Sequence, residues 1–370
     1  MNKAPHRLIS PKPNDLIDGH LIVTPAIARG ASGVVHEAID PHGRRCALKI
    51  LDRESIIKRH KEGYQFQHQS PDEEEKEGRA LYEKMVLHFK EEYQILIGLS
   101  HLNVAQAYHF GCVDGHFYFT TEFIEGKPIS RYAWRQKPLD MIPLFLQALE
   151  GLDFIHRNNL LHLDLKPENV LVQEMSGQAH VKIIDFGLAL KPSAYGGKMR
   201  GTTYYMAPEI IVNEGKPIDE RTDLFSFGAL MYFCMTWGRL PFPRTTSRNK
   251  EALRQLVQKE KLLRLPSAHH LLHPEFVPPF LDIIVARLLE RDPEHRIFLS
   301  SRAVINALKT HEPERFREER DHRSAYLIPK GNKHIGREEE QTKLFGLLDG
   351  LLQNSAKQPP MVMIEGASGL

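Results

Sequence analysis

The sequence predicts an α+β protein of two lobes, a β-rich front and a helix-rich back. Three observations carry this reading. Between His20 and Leu51 short apolar runs alternate with turn residues, as strands in a meander do. Beyond Gly126 the apolar spacing becomes helical, interrupted by the β-like pieces Asn169–Val172 and Val181–Phe186. With 41% hydrophobic and 26% charged residues over 370 positions, the chain can bury an ordinary core, which excludes wholesale disorder.

Residues 1–15 are polar and Pro-rich, a loose lead-in without the apolar centre of a signal peptide. Three strands are expected over 20–51, with a Gly-rich turn at 29–32 and a second turn at Asp40-Pro41-His42-Gly43. The stretch Ser70–Gly78 is expected to be a turn and a solvated charge run between helical segments. Phe89, Tyr93, Leu96 and Leu99 then mark the apolar face of a helix. Residues 104–123 alternate as a hairpin around Asp114-Gly115. Helices are expected over 138–158, 219–237, 249–263, 277–290 and 300–310.

Lys plus Arg number 49 and Asp plus Glu 47, a net charge of +2 that supports neither a nucleic-acid surface nor a polybasic membrane surface. Cys46, Cys112 and Cys234 lie far apart without a CxxC, so a reducing compartment is expected. The longest apolar run, Phe225–Trp237, is too short to span a bilayer and reads as a buried core helix. The expectation is a cytoplasmic protein without a membrane segment.

Phosphate chemistry enters with Ile27-Ala28-Arg29-Gly30-Ala31-Ser32-Gly33-Val34-Val35, where glycines let backbone N–H groups approach phosphate oxygens. Lys49 follows Val35 by fourteen residues on the next strand, within reach of phosphates held under such a turn. It needs a carboxylate partner, and Glu92 and Glu91 are the candidates on the following helix. The decisive string is His162-Leu163-Asp164-Leu165-Lys166-Pro167-Glu168-Asn169, with Asp185-Phe186-Gly187 starting twenty-one residues after Asp164. Phosphoryl transfer needs a carboxylate at the attacking hydroxyl and oxygen ligands for the metal that bridges the phosphates. One Asp can supply the first, and an Asn with a second Asp the others.

Over about residues 16–309 the chain resembles the eukaryotic-type protein kinases. The resemblance rests on the Gly-rich turn, Ala47-Leu48-Lys49, the string from His162 to Leu171 and Asp185-Phe186-Gly187. It extends through Gly201–Glu209 (GTTYYMAPE), Asp223–Gly228 (DLFSFG) and Arg291–Ile297 (RDPEHRI), in the family's order. It implies a front lobe over 16–125 and a back lobe over 126–309, with ATP and Mg²⁺ bound between them. Lys49 would pair with Glu92 and the α- and β-phosphates, Asp164 would orient the substrate hydroxyl, and Lys166 would contact the γ-phosphate. Asn169 and Asp185 would hold Mg²⁺. Ile27, Gly30, Ala31, Ser32 and Gly33 would cover the nucleotide. Val35 and Ala47 would roof the adenine, with Leu171 beneath and Thr121, Glu122 and Ile124 along its edge. Glu209 with Arg296 would form a buried ion pair, and Asp223 would bind the backbone of the catalytic loop. Lys166 and Thr202 resemble the serine/threonine branch, so the expected substrates are protein Ser and Thr hydroxyls. The alternatives are a nucleotide-responsive pseudokinase and a small-molecule kinase, the latter usually lacking the Ala207-Pro208-Glu209 segment.

Two positions depart from the family. Ala28 stands for the first glycine of the loop, and Leu163 for the Arg that binds a phosphorylated activation loop. Leu188–Arg200 offers only Ser193 and Tyr195 as hydroxyls, so control from elsewhere in the chain is expected. His269, His270 and His273 lack neighbouring ligands and are read as a solvated helical turn. Residues 310–334 read as a charged linker. Residues 335–370 resemble the start of an AAA-type P-loop NTPase module, with Gly366–Leu370 filling the first five positions of its phosphate loop. The chain is therefore expected to be part of a longer protein in which that module is a partner of the kinase domain.

Overall fold

The structure is a computed structural model that describes residues 11–29, 33–52, 71–134, 136–196, 202–212, 215–241 and 277–311. All of them belong to one unit, Met1–Glu312.

Alternation decides the front half. The strands β1 (Leu16–Ile17), β2 (His20–Ile22), β3 (Ala28–Arg29), β4 (Val34–Ile39), β5 (Arg45–Ile50), β6 (Ala107–Val113) and β7 (His116–Glu122) form one antiparallel sheet. Its order is β1-β2-β4-β5-β7-β6, with β3 added to β4. The register sets Val35 opposite Lys49 and Ala47 opposite Thr121. Because side chains alternate along a strand, these four residues share one face. The other face carries Ile17, Ile22, Ala38, Cys46, Leu48, Ile50 and Tyr118, which pack into a core of their own. The hairpin β6–β7 turns at Asp114 and Gly115 with φ of +49° and +80°, the doubly left-handed turn that matches strand twist.

Helix α1 runs from Pro71 to Ile97. It corrects the expected turn at Ser70–Gly78, because the acidic run is the start of the helix. Proline at the first helical position and acids in the first turn both favour a helix N-terminus, so the charges that suggested a loop instead mark where the helix begins. Phe89, Glu92 and Leu96 are its buried positions, spaced to lie on one side.

The back half follows Gly126. A small sheet of β8 (Lys127–Pro128), β9 (Val170–Met175) and β10 (Gln178–Ile183) has the order β10-β9-β8. Around it lie α2 (Ile129–Ala133), α3 (Ile142–Arg157), α4 (Pro208–Val212), α5 (Glu220–Met235), α6 (Pro279–Leu288) and α7 (Ser301–His311). The expected helix over 138–158 opens with a 3₁₀ turn at Pro138–Met141. Helix α5 is capped by Asp219, whose side chain accepts from the Arg221 N–H, and it is buried along most of its length. Gly228 lets α6 approach: a Cβ there would stand 2.7 Å from the Cβ of Leu288. Among the described residues no helix is long and apolar enough to cross a membrane. The expected helix 249–263, the histidines 269–273 and the segments beyond 312 lie outside the described residues.

Candidate active site

The face of the front sheet that carries Val35, Ala47 and Thr121 also presents Lys49 toward α1. Lys49 Nζ donates to Glu92 Oε1 at 2.6 Å and reaches Asp185 Oδ1 at 3.4 Å. Glu91 takes no part: it is exposed and pairs with His88. Burial alone would strip the proton from Lys49, but Glu92 and Asp185 outweigh it and hold the ammonium charged well above its ordinary range. Lys49 in turn keeps Asp185 below the usual carboxylate range. The pair thus ties β5 and α1 to the loop that follows β10.

The loop His162–Asn169 is set by α5. Asp223, fully buried, accepts from the backbone N–H groups of His162 and Leu163 at 2.8 Å each, and from His156 Nε2 at 2.9 Å. Those bonds hold Leu163 in the left-handed region at φ +60°, a conformation that β-carbons disfavour and that needs such support. Asp164 follows on this turn, partly buried. Its Oδ1 accepts from the Thr202 N–H at 3.0 Å and the Thr202 hydroxyl at 3.1 Å. Its Oδ2 accepts from Asn169 Nδ2 at 3.1 Å and from Lys166 Nζ. Lys166 Nζ also reaches Thr202 Oγ1 at 3.1 Å.

Asn169 uses its amide nitrogen on the carbonyl and carboxylate of Asp164, which leaves its oxygen as the atom that could ligate a metal. Asp185, also left-handed at φ +63°, is an ionised carboxylate. Hard oxygen donors of this kind suit a divalent ion of the Mg²⁺ class. Phe186 is buried and meets the His162 ring edge-on at 5.1 Å, which seats the loop carrying Asp185.

The hinge between the lobes runs from Glu122 to Gly126. Glu122 Oε2 accepts from Lys182 Nζ at 2.7 Å, and the Glu122 N–H donates to the Gln106 carbonyl at 2.8 Å. Thr121, Glu122 and Leu171 are half-buried, while Ile124 is buried. Ile27 is exposed, its N–H bonded to the Val35 carbonyl. Gly33 has a packing reason of its own, since a Cβ there would lie 2.1 Å from the Ile50 carbonyl oxygen. Gly30, Ala31 and Ser32 lie outside the described residues.

Glu209 and Arg296 meet in a bidentate pair at 2.7 and 2.8 Å, both side chains buried. Sequence reasoning missed the contacts of Lys182, His156 and Thr202 with this site. No periodicity marks them. Of the three only Thr202 lies in a motif, and that motif does not specify its contact with Asp164.

Residues 22–308 match the family model described as Protein kinase domain. The chain is similar to Serine/threonine-protein kinase ULK3 of Rattus norvegicus, 33% identical over 224 residues that cover 59% of this chain and 45% of that protein. It is also similar to Serine/threonine-protein kinase Pkn1 of Myxococcus xanthus, 32% identical over 62% of this chain and 32% of that protein. Serine/threonine-protein kinase pkn2 of the same organism is 35% identical over 45% of this chain and 21% of its own length. The chain therefore spans less than half the length of these relatives.

Proposed function

The chain belongs to the protein kinase domain family, and from that premise we propose that it is an ATP-dependent serine/threonine protein kinase. One observation carries the reading: Lys49, Glu92, Asp164, Lys166, Asn169 and Asp185, drawn from both lobes, are joined in two hydrogen-bonded groups of the right chemistry. ATP is the phosphoryl donor, its adenine edge along Thr121, Glu122 and Ile124 and its ring between Val35 and Ala47 above and Leu171 below. Ile27, Gly30, Ala31, Ser32 and Gly33 cover the phosphates. Lys49 orients the α- and β-phosphates.

Asp164 points the Ser or Thr hydroxyl of a protein substrate at the γ-phosphate and takes its proton as the new P–O bond forms and the bond to ADP breaks. Lys166 steadies the γ-phosphate charge. Mg²⁺, when bound at Asn169 and Asp185, neutralises charge that builds on the phosphate oxygens. Transfer by a positioned base contributes about 10²–10⁴-fold.

The pseudokinase alternative is disfavoured because none of the four residues it would lack (Lys49, Asp164, Asn169 and Asp185) is missing. Radiolabel transfer from ATP to a generic protein substrate tests the proposal. Asp164→Asn should lose the label while still binding ATP. Label on a metabolite and never on protein would place the chain with small-molecule kinases instead. Residues 335–370 are proposed, on sequence alone, to open a P-loop NTPase module. The supporting feature is the strand-like Met361–Glu365 leading into Gly366 and Gly369. A natural chain extending past Leu370 without Gly-Lys-Ser or Gly-Lys-Thr would remove that support.

A further inference from the structure

The ladder between β5 and β7 ends at the Cys46–Glu122 rung. Past it the hinge residues pair with no strand among the described residues, and the next residue of β5 is Arg45. Its side chain takes over where the main-chain bonds stop. The guanidinium stacks over the Phe123 ring at 4.7 Å and donates from one terminal nitrogen to Glu125 Oε2 at 2.8 Å. Its other two nitrogens hold Glu37 Oε1, Nε at 2.9 Å and the second terminal nitrogen at 2.8 Å. Glu37 lies opposite Ala47, on the face that also carries Val35 and Lys49. All three nitrogens of Arg45 are thus committed, and they bridge the sheet to the two hinge residues that flank Ile124.

We propose that Arg45 is a positioning residue for nucleotide binding: through Phe123 and Glu125 it fixes the hinge backbone on either side of Ile124, where an adenine edge docks. This rests on the kinase reading for the identity of the nucleotide. The planar fork and the ring stacking are features of Arg that Lys does not reproduce. The Glu125 side of the clamp is exposed, so its strength falls with salt. Arg45 lies four positions along β5 from Lys49, the residue proposed to hold the phosphates. Its loss should therefore weaken nucleotide capture and leave the transfer step alone.

The test uses the full chain with Arg45→Met, which keeps the stem and removes the charge, Arg45→Lys, and Glu125→Gln. Affinity for ATP is read by displacement of a fluorescent ADP analogue, and kcat and KM for ATP are read in parallel. Arg45→Met is expected to raise both the ATP Kd and its KM about 3- to 5-fold, the worth of roughly one partly exposed pair. The kcat at saturating ATP should hold and Arg45→Lys should recover part of the loss. Glu125→Gln should give a smaller rise, and high salt should narrow the gap between wild type and variant. An unchanged Kd in a folded Arg45→Met protein would overturn the proposal. So would a fall in kcat at constant KM. Wild-type chain that binds ATP but transfers no phosphate would refute the kinase reading, and the Kd series would still decide the role of Arg45.

Discussion

Thr202 meets Asp164 twice, through its backbone N–H at 3.0 Å and its hydroxyl at 3.1 Å, both on the same carboxylate oxygen. A segment that lies 38 residues away in sequence therefore fixes the orientation of the group proposed to take the substrate proton. The hydroxyl donates to Asp164 and has a lone pair left to accept from Lys166. Thr202→Val removes the hydroxyl's bonds to Asp164 and Lys166 at little change in volume but keeps the backbone N–H bond, and kcat should fall about tenfold or more, the worth of one or two such bonds. Thr202→Ser should retain most of the activity. Steady-state kinetics with a thermal melt as control separates this from a folding defect, for which both variants would melt early.

Lys49 and Glu92 give the second prediction. Glu92 is buried, and removing it leaves the Lys49 ammonium with the more distant Asp185 as its carboxylate partner. Lys49→Met should lower phosphotransfer by about 10²–10³-fold, as loss of a preorganised charge at a reacting phosphate does. Glu92→Gln should cost less in rate but more than a surface change in stability. If Glu91→Gln proved as damaging as Glu92→Gln, the pairing would be misassigned.

The Glu209–Arg296 pair is buried, with Arg296 also donating to the carbonyls of Glu290, Arg221 and Arg291. Removing one partner strands the other charge in the interior, which costs about 3–5 kcal/mol. Arg296→Met and Glu209→Gln should each lower the denaturation midpoint strongly. Arg296→Lys should rescue little, because one ammonium cannot make the five bonds of the fork. Urea unfolding of the three variants is the measurement.

How much of this was legible in the sequence depends on the range of the interaction. The strands Val34–Ile39 and Arg45–Ile50 could be read because alternation is a local signal, and the Asp114-Gly115 turn because its residues tolerate positive φ. The start of α1 is ambiguous in the sequence because charge density marks both loops and helix N-termini. Spacing alone left Glu91 beside Glu92 as a partner for Lys49; the resemblance pointed to Glu92, and the side of α1 that faces Lys49 gives the physical reason. The bonds from Asp223 to the loop at His162 and Leu163 span sixty residues or more, and a motif match could name them without explaining why the loop needs them. Arg45 and Lys182 belong to no motif, and only the folded hinge gives them partners.

His156 makes stability depend on pH. Burial works against its charged form, but hydrogen bonds to Asp223 and Glu220 outweigh this and push its pKa up to about 9 from an ordinary 6.5. A group that titrates higher in the folded chain stabilises it fully below the unfolded value. That contribution is lost as pH rises from 6.5 through about 9, and is of order 3 kcal/mol at most. The melting temperature should therefore decline across this window, and the decline should be shallower in His156→Gln. Asp223, held below the usual carboxylate range, acts oppositely and loses its contribution only in acid. Identical slopes for wild type and His156→Gln would show that another group is responsible.

Leu163 bears on how the site is switched. Where the family carries an Arg to receive a loop phosphate, this chain has a residue without charge, fixed at φ +60° by its N–H bond to Asp223. The activation segment is tied down by other means at both ends. Leu161 and Leu190 exchange backbone bonds of 2.8 and 3.0 Å where it begins, and Thr202 grips Asp164 where it closes. Ser193 lies between them, exposed on a short turn. With no cation at 163 to pair with, a phosphate on Ser193 adds charge without adding this hydrogen-bonded anchor. Ser193→Ala should keep activity within about twofold, as a surface substitution that removes no bond does. Phosphatase treatment of the wild type should change little, and both are read by initial-rate assays. Loss of activity in Ser193→Ala together with rescue by Ser193→Asp would mean that phosphorylation orders the segment after all, through a cation other than the one the family uses.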